Sequence, residues 1–446
     1  MLHTLRPVVA ALALALVVCL SAQPARAIGL LRDADIEYGL TRLAAPLLRA
    51  AGLNPARVKI LVVNESGFNA FVIDNRTIFL NYGLILEVKT PEMLQAVIAH
   101  EAAHIANGHL ARRAANMRNA NMQSGLAMVL GVLAAAAGSG EAATGLIAGG
   151  QAAAMRGFLS HSRAEESAAD RSALSFMTTA GVNPQGMVDV HSRFTGQDYL
   201  SLANRDPYMQ SHPLFSERIR AAKDYVARYG AIGEASAEDI YWLERVQGKL
   251  SAFLRSPKWT LQRLENEPET DITLMRKAVA YHRQNQLAPA RRYMQSALDA
   301  RPDDPFYLDL MGQIMMENRQ WQAALDAYGA AQAAAPTNPL ILGGYGRVLL
   351  ALDRPEDARD MLAQARARDA RDIRILVDLA RAYAATGEEG MAALTTAERM
   401  ALSGNPREAA RHARRALQVL PRGSAAWMRA QDMIPPEISN SRRTSP

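Results

Sequence analysis

The chain has 446 residues, of which 49% are apolar and 21% are charged. This composition provides enough apolar side chains for a large core and excludes a wholly disordered or collagen-like chain. At about 150 residues per domain, the length favours roughly three units over one compact core. The net charge of +6 is small and its cations are interspersed with acids, so it gives no support for nucleic-acid binding.

The first 27 residues are predicted to be a signal peptide. His3 and Arg6 precede an apolar run from Val8 to Leu20, and Ala25-Arg26-Ala27 is the small-x-small pattern that a signal peptidase cuts after. An uncleaved membrane anchor is the alternative, but this run is shorter than the roughly 20 residues needed to span a bilayer. We therefore expect an exported protein.

The next segments alternate between helical and strand patterns. Asp33–Ala51 has the apolar spacing of an amphipathic helix, whereas Val58–Val63 and Thr77–Leu80 are β-branched, apolar and bounded by turn formers. We predict two or three strands here. A second helix is predicted to begin at Pro91, with Thr90 as its N-cap.

An HExxH motif, His100-Glu101-Ala102-Ala103-His104, lies on the helix that begins at Pro91. A spacing of four places both imidazoles on one helix face, about one turn apart, where they can share a tetrahedral zinc ion. Glu101 would then lie beside the open position of the metal. The alternative is a solvated helix face with incidental histidines, because so short a motif also arises by chance.

Zinc requires a third protein ligand. The metzincin pattern would place a glycine and a histidine where this chain has Asn107 and Leu110, so that class is excluded. His109 is expected on a different part of the helix surface and in a structural role.

Residues 125–150 contain two apolar runs joined by Ser139-Gly140-Glu141, and neither run is long enough to cross a membrane. Arginines flank the segment and could lie at anionic headgroups while the apolar arms enter the membrane interface. This arrangement predicts a peripheral membrane contact. A buried alanine-rich helix pair inside the domain is the alternative.

A carboxylate from a second helix is the other source of a third ligand. Glu166 and Asp170 form an ExxxD pattern, so one acid could bind the metal and the other, one turn on, could accept a hydrogen bond from a ligand imidazole. Glu165 points about 100° away and is the weaker candidate. Taken alone, an ExxxD is also common on solvated helices.

The second half of the chain repeats with a period of 34 residues. This period, with small residues where helices cross and proline at the repeat end, is typical of tetratricopeptide (TPR) repeats. The recurring positions are Ala290, Met294, Ala297 and Pro302, which return as Ala324, Tyr328, Ala331 and Pro336. After Ala392 the pattern weakens, and Thr395–Pro406 is predicted to be an additional helix before an atypical cap at Arg407–Leu420. Residues 240–264 are predicted to bridge the two halves.

Several short motifs carry a family resemblance. HExxH is followed by Asn107-Gly108-His109, and the later motifs include Ser162-Arg163-x-x-Glu166-x-x-Ala169-Asp170 and a His-Pro element that ends at Arg218. Asn69-Ala70-Phe71 and Asn81-Tyr82-Gly83-Leu84 match as well. With these motifs, residues 28 to about 230 resemble the zinc metallopeptidases typified by HtpX and the CAAX prenyl protease.

The resemblance implies one zinc ion per chain, with His100, His104 and Glu166 as ligands and Glu101 as the catalytic base. It further implies second-shell or regulatory roles for three residues, namely Asp170, His212 and Arg218. His212 could complete the zinc shell and inhibit the enzyme, or polarise the substrate carbonyl in the transition state. A histidine that merely caps the turn before Pro213 is the third interpretation.

The expected fold is mainly α with a small sheet. A gluzincin-type metallopeptidase domain is predicted over residues 28–232 and connecting helices over 233–268. An all-α TPR solenoid is predicted over 269–434, followed by a disordered tail over 435–446.

With the signal peptide and the repeats included, the chain resembles exported members of this family. The implied function is that of a periplasmic zinc endopeptidase in the quality control and assembly of outer-membrane β-barrel proteins. The repeats would bind misfolded or stalled outer-membrane proteins and the β-barrel assembly machinery, and a substrate strand would add to an exposed edge near Val72–Leu80. The alternative is a TPR chaperone or scaffold that promotes this assembly with a latent or regulated zinc site.

Overall fold

The computed structural model describes residues 29–112, 162–195, 207–212, 216–229 and 233–434. Three predicted features lie outside these ranges: the signal peptide at 1–27, the apolar segment at 125–150 and the tail at 435–446. Among the helices of the described ranges, none combines the length and apolar character needed to cross a bilayer. The predicted architecture, mainly helical with one small sheet, is confirmed.

A four-stranded sheet forms one layer of the N-terminal half. Its strands are β1 (Leu30–Leu31), β2 (Lys59–Val63), β3 (Ala70–Asp74) and β4 (Thr77–Asn81), in the spatial order β1-β2-β4-β3. β2 and β4 are parallel, and the other neighbours are antiparallel. Two residues after β4, Gly83 approaches the Ser66 carbonyl so closely that a Cβ would lie 1.9 Å from its oxygen, so this position requires glycine.

The expected exposed edge from Val72 to Leu80 is wrong in its second half. β4 pairs with a strand on each side, so Leu80 lies in the interior of the sheet. Of β3 and β4, only β3 lies at an edge of the sheet. The Asn81 N–H donates to the Asn69 carbonyl, and the ladder alternates with a period of two, so the backbone groups of Ala70 and Val72 point away from β4.

Seven helices accompany this sheet within the described residues. They are α1 (Ala34–Ala50), α2 (Tyr82–Glu87), α3 (Pro91–Ala106), α4 (Arg163–Thr179), α5 (Gln185–Arg193), α6 (Pro207–Ser211) and α7 (Ser216–Tyr229). The Asp33 side chain caps α1, and the Thr90 hydroxyl accepts the Met93 N–H at the start of α3. Apolar residues of α1, α3 and α4 and the inner face of the sheet form one buried core.

Two helices connect this half to the repeats: α8 (Ala237–Leu254) and α9 (Pro257–Arg263). Arg245 of α8 is buried and pairs with Asp35 in the first half, at 2.8 Å, and with Asp304 in the second, at 2.6 Å. Its guanidinium lies 3.9 Å from the ring centroid of Tyr307. One buried cation therefore joins both halves of the molecule.

The repeats form antiparallel helix pairs. The pairs are α10/α11 (Asp271–His282, Leu287–Ala300), α12/α13 (Pro305–Glu317, Trp321–Ala334), α14/α15 (Pro339–Ala351, Pro355–Arg368), α16/α17 (Ile373–Ala385, Glu389–Leu402) and α18/α19 (Pro406–Val419, Ala425–Asp432). The first four pairs begin 34 residues apart, as the period predicts.

The additional helix predicted at Thr395–Pro406 is wrong. Thr395 lies within α17, which is the second helix of a regular pair, and Pro406 is the first residue of α18. Gly404 occupies the repeat position that holds the marker prolines 302 and 336, so the sequence pattern weakens where the helix pairing continues.

A second ionic cluster joins the start of the N-terminal half to the connection between α15 and α16. Arg32 contacts Asp369 at 2.7 Å and Asp372 at 3.3 Å, and Lys59 of β2 contacts Asp369 at 2.8 Å. Both aspartates are buried. The repeat array is thus anchored on the N-terminal half at two separate places.

Candidate metal centre

α3 carries the HExxH motif into the interior of the N-terminal half. His100, Glu101 and His104 have no exposed surface, and the Nε2 atoms of the two imidazoles lie 3.0 Å apart. Buried alanines at the crossing of α3 and α4, among them Ala103 and Ala169, let the two helices approach closely.

α4 brings Glu166 to the two imidazoles. Its oxygens lie 3.4 Å from Nε2 of His100 and 3.4 Å from Nε2 of His104. A capping box fixes the start of α4, because the Ser162 hydroxyl accepts the Glu165 N–H while the Glu165 carboxylate accepts the Ser162 N–H. Glu165 is therefore used at the helix end, while Glu166 faces the imidazoles.

α6 brings His212 to the same cluster. Its Nδ1 lies 3.1 Å from Glu166 and 3.3 Å from Nε2 of His100. The His212 N–H donates to the Tyr208 carbonyl, and the Tyr208 ring packs against Phe68 and Phe194. An aromatic cluster thus holds the short helix that ends beside His212.

In His100 and His212, the ring nitrogen that faces away from the cluster makes a contact that orients the ring. Nε2 of His212 lies 3.2 Å from the Ala70 carbonyl oxygen, which can only accept, so Nε2 donates there and Nδ1 is the ring nitrogen that faces the cluster. Nδ1 of His100 lies 2.9 Å from Asp170, so it donates there and Nε2 is the nitrogen of His100 that faces the cluster.

Arg218 of α7 contacts both acids of the ExxxD pattern. It donates to Glu166 at 2.8 Å and to Asp170 at 2.6 and 2.8 Å. Nε2 of His191, a buried residue of α5 that the sequence analysis missed, lies 3.7 Å from Asp170. No local motif marks His191, which the fold brings to the site from a separate helix.

The pKa shifts of His100 and Glu166 indicate that the donor cluster attracts positive charge. Burial alone would lower the pKa of His100, but Glu166 and Asp170 outweigh it and raise this pKa to about 10. Burial lowers the pKa of His104 to about 3. Burial would raise the pKa of Glu166, but His212, Arg218 and His100 hold it well below the ordinary value. A divalent cation would supply this charge in place of the proton.

Glu101 is a buried acid whose carboxylate accepts no hydrogen bond from the described residues of this network. Among the described residues, none makes a hydrogen bond to either oxygen of its carboxylate, and Oε1 lies 3.4 Å from Nε2 of His212. Burial raises the pKa of the Glu101 carboxyl above its ordinary value. A carboxylate in this state is suited to accept a proton from a reactant.

His109 lies where the sequence analysis did not expect it. α3 ends at Ala106, and Gly108 has a φ of 67°, in the left-handed region, so the chain turns away from the helix path. The turn places Nδ1 of His109 2.9 Å from Nδ1 of His104, and His109 is buried. The expected position of His109 on the surface of α3 is wrong because it assumed that the helix continues past Gly108.

Four residues offer one donor atom each within 4.8 Å of one another: His100, His104, Glu166 and His212. Three imidazole nitrogens and one carboxylate oxygen are a donor set that zinc accepts in tetrahedral sites. The described residues therefore fit a zinc ion, with Glu101 beside it.

Residues 31–226 match peptidase family M48, and residues 315–376 match a tetratricopeptide repeat. The chain thus contains an M48 metallopeptidase domain followed by TPR repeats, and it is a zinc metallopeptidase. The resemblance inferred from the motifs is confirmed.

Two curated relatives are named β-barrel assembly-enhancing protease. The Escherichia coli (strain K12) protein is 24% identical over 384 residues, which cover 84% of this chain and 77% of that protein. The Yersinia pestis protein is 26% identical over 270 residues, which cover 59% of this chain and 55% of that protein. Among solved structures, the TPR protein YrrB is similar with a TM-score of 0.27 and 18% identity, covering 40% of this chain and 98% of that one.

Proposed function

We propose that this protein is an exported, periplasmic zinc endopeptidase that acts in the quality control and assembly of outer-membrane β-barrel proteins. The observation that carries the proposal is the convergence of His100, His104 and Glu166, with the buried carboxylate of Glu101 next to His100 in the same motif. The names of the relatives support the substrate class. Proteins of the outer membrane and of its assembly machinery are the proposed partners of the repeats.

In this proposal one zinc ion per chain is held by His100, His104 and Glu166. Asp170 fixes the His100 ring through the 2.9 Å contact at Nδ1. Arg218 holds Glu166 and Asp170 in place through three hydrogen bonds. In this proposal Asp170 and Arg218 position the zinc ligands and do not contact the substrate.

His100, His104 and Glu166 would hold a zinc ion whose Lewis acidity would lower the pKa of a water and polarise a peptide carbonyl. Glu101 accepts the proton of the attacking water, since its carboxylate faces the donors and makes no competing hydrogen bond. The same carboxyl group then delivers this proton to the amine nitrogen that leaves.

Glu101→Gln tests the proposed role of the base. We expect a protein that binds as much zinc as the wild type and cleaves an unfolded protein substrate about 10²- to 10⁴-fold more slowly, the range for loss of a general base. Glu92→Gln, the same change on the first turn of α3 and outside the donor cluster, is the matched control. Undiminished cleavage by Glu101→Gln would refute the assignment.

A specific observation favours the scaffold alternative, in which the zinc site is latent or regulated. His212 offers a fourth donor atom and is held by the Ala70 carbonyl of the edge strand. In this position it could occupy the place of a substrate group. His212→Ala separates the three interpretations: faster cleavage indicates an inhibitory ligand, slower cleavage a transition-state role, and unchanged cleavage a structural one.

The scaffold function and the peptidase function can be separated in cells. If the Glu101→Gln protein restores outer-membrane protein assembly in a deletion strain, assembly depends on binding by the repeats. If it fails while the wild type succeeds, assembly depends on proteolysis.

Export, the domain bounds and the membrane contact belong to the same proposal. N-terminal sequencing of the protein from the periplasm would test cleavage after Ala27. Limited proteolysis would test the proposed domain bounds of 28–232 and 269–434. Deletion of 125–150 would test the peripheral membrane contact.

A further inference from the structure

A groove of about 590 Å³ lies on the last helix pairs of the repeat array. We call it the C-terminal groove. It is lined by one face each of α16, α17 and α18. Its small residues include Ala380, Ala384 and Ala392, so an extended backbone could approach the helices closely there.

Positive charge dominates the lining of the C-terminal groove. Arg381, Arg399 and Arg415 all line it, and Glu389 is the one acid among its lining residues. The guanidinium of Arg381 lies 3.7 Å from Asp378, and that of Arg415 lies 3.9 Å from Glu389, both near the limit for an ion pair.

The charges in the groove are only weakly neutralised. Side chains of Arg381 and Arg415 are 73% and 66% exposed, where ion pairs contribute little. For Arg399, no carboxylate comes within ion-pair distance in the part of the chain that the structure describes. Burial and the neighbouring arginines lower the pKa of His412, which also lines the groove.

We propose that the C-terminal groove binds an acidic segment of another polypeptide. Guanidinium groups bind carboxylates in paired hydrogen bonds, and three arginines line the groove together with small side chains. A concave groove between helices fits an extended chain better than it fits a flat anionic bilayer. The inference deepens the partner-binding role in the proposed function and rests on it.

The groove is separate from the metal centre. Its residues lie on α16–α18, whereas the metal centre is built on α3, α4, α6 and α7 of the N-terminal half. Binding in the groove can therefore be changed without altering the zinc donors.

Fluorescence anisotropy with the full-length Glu101→Gln protein tests this proposal, because that variant is expected to cleave the probe far more slowly than the wild type. The probes are a labelled 12-residue peptide rich in glutamate and its glutamine counterpart. We expect the acidic peptide to bind at least tenfold more tightly, and the difference to shrink as salt is added.

The groove variant combines Arg381→Gln, Arg399→Gln and Arg415→Gln. Its matched control removes three exposed arginines elsewhere: Arg57→Gln, Arg263→Gln and Arg291→Gln. We expect the groove variant to bind the acidic peptide at least tenfold more weakly and the control to stay within twofold of the parent protein. Ala392→Phe, which fills the groove without changing charge, should weaken binding as well and serves if the triple variant does not fold.

Equal binding of the two peptides, or equal loss in the groove and control variants, would overturn the proposal. So would binding of phosphatidylglycerol vesicles that depends on the three groove arginines while the acidic peptide does not bind. Because cleavage is not measured, failure here leaves the proposed peptidase function standing.

Discussion

The two histidines of the HExxH motif differ in what holds their outer nitrogens. His100 has the Asp170 carboxylate at 2.9 Å, whereas His104 has the imidazole of His109 at 2.9 Å. If Nε2 of His104 binds the metal, Nδ1 carries the hydrogen and donates to His109. Such outer partners orient ligands and raise their affinity for the metal.

His109→Phe should therefore weaken zinc binding by about 10- to 100-fold, the usual effect of losing an outer partner of a ligand. The measurement is the zinc dissociation constant from competition with a chelator. His109→Gln offers an amide oxygen that can accept the same hydrogen bond, so it should recover part of the affinity. Equal loss in both variants would show that His109 matters only through packing.

For individual site residues, the sequence predicted those positions that lie on one regular helix and missed those that depend on a turn or on a contact between helices. The relation of His100 to His104 is a property of one helix, and a spacing of four was enough to place them together. The position of His109 depended on a left-handed glycine, and that of His191 on a contact between α5 and α4. Neither is encoded in a local spacing. The roles assigned to Glu166 and the other site residues stay predictions.

Among the elements, the edge strand β3 links the sheet to the metal centre. Ala70 accepts a hydrogen bond from His212, and the outward backbone groups of Val72 lie two residues further along the same edge. A peptide that adds here as a strand would run past the donor cluster. The sequence predicted the strands that follow α1 but neither β1 nor the order of the strands, because order depends on pairing between distant segments.

Val72→Pro tests strand addition at β3. Proline removes the outward N–H that a substrate strand would bind but leaves the bonds to β4, which come from the alternate residues. We expect cleavage to fall by at least tenfold while zinc content stays at the wild-type level. Unchanged cleavage by a folded, zinc-loaded variant would exclude this edge as the substrate site.

On the scale of the whole molecule, two ionic clusters fix the repeat array on the peptidase domain. Arg245 joins Asp35 and Asp304 in one cluster, and Arg32 and Lys59 meet Asp369 in the other. These partners are between 59 and 337 residues apart in sequence, and the repeat period does not predict such pairs. The sequence therefore predicted the two halves but not how they are joined.

Stability should fall in acid through the second cluster. Burial alone would raise the pKa of Asp369, but Arg32 and Lys59 outweigh it and lower this pKa below its ordinary value. A carboxylate with a lowered pKa stabilises the fold above its unfolded pKa of about 3.9 and loses this contribution as pH falls through and below that value.

Asp369→Asn should destabilise the protein at pH 7 by about 1.5–3 kcal/mol, the range for a hydrogen bond to a charged group. The gap in unfolding temperature between wild type and variant should narrow from pH 7 to pH 3, as measured by calorimetry. Asp360→Asn, at an exposed acid of α15, should show almost no gap at either pH. If the difference in unfolding temperature between wild type and Asp369→Asn does not change with pH, the lowered pKa of Asp369 is contradicted.

The central claim is that two imidazoles of α3 and one carboxylate of α4 hold a zinc ion, and metal content tests it most directly. Glu166→Gln and Glu165→Gln make the same chemical change at adjacent residues, one facing the imidazoles and one in the capping box. Mass spectrometric metal analysis of the purified proteins should find about one zinc per chain in the wild type and in Glu165→Gln, and little in Glu166→Gln. Full zinc content in Glu166→Gln, or none in the wild type, would contradict the account.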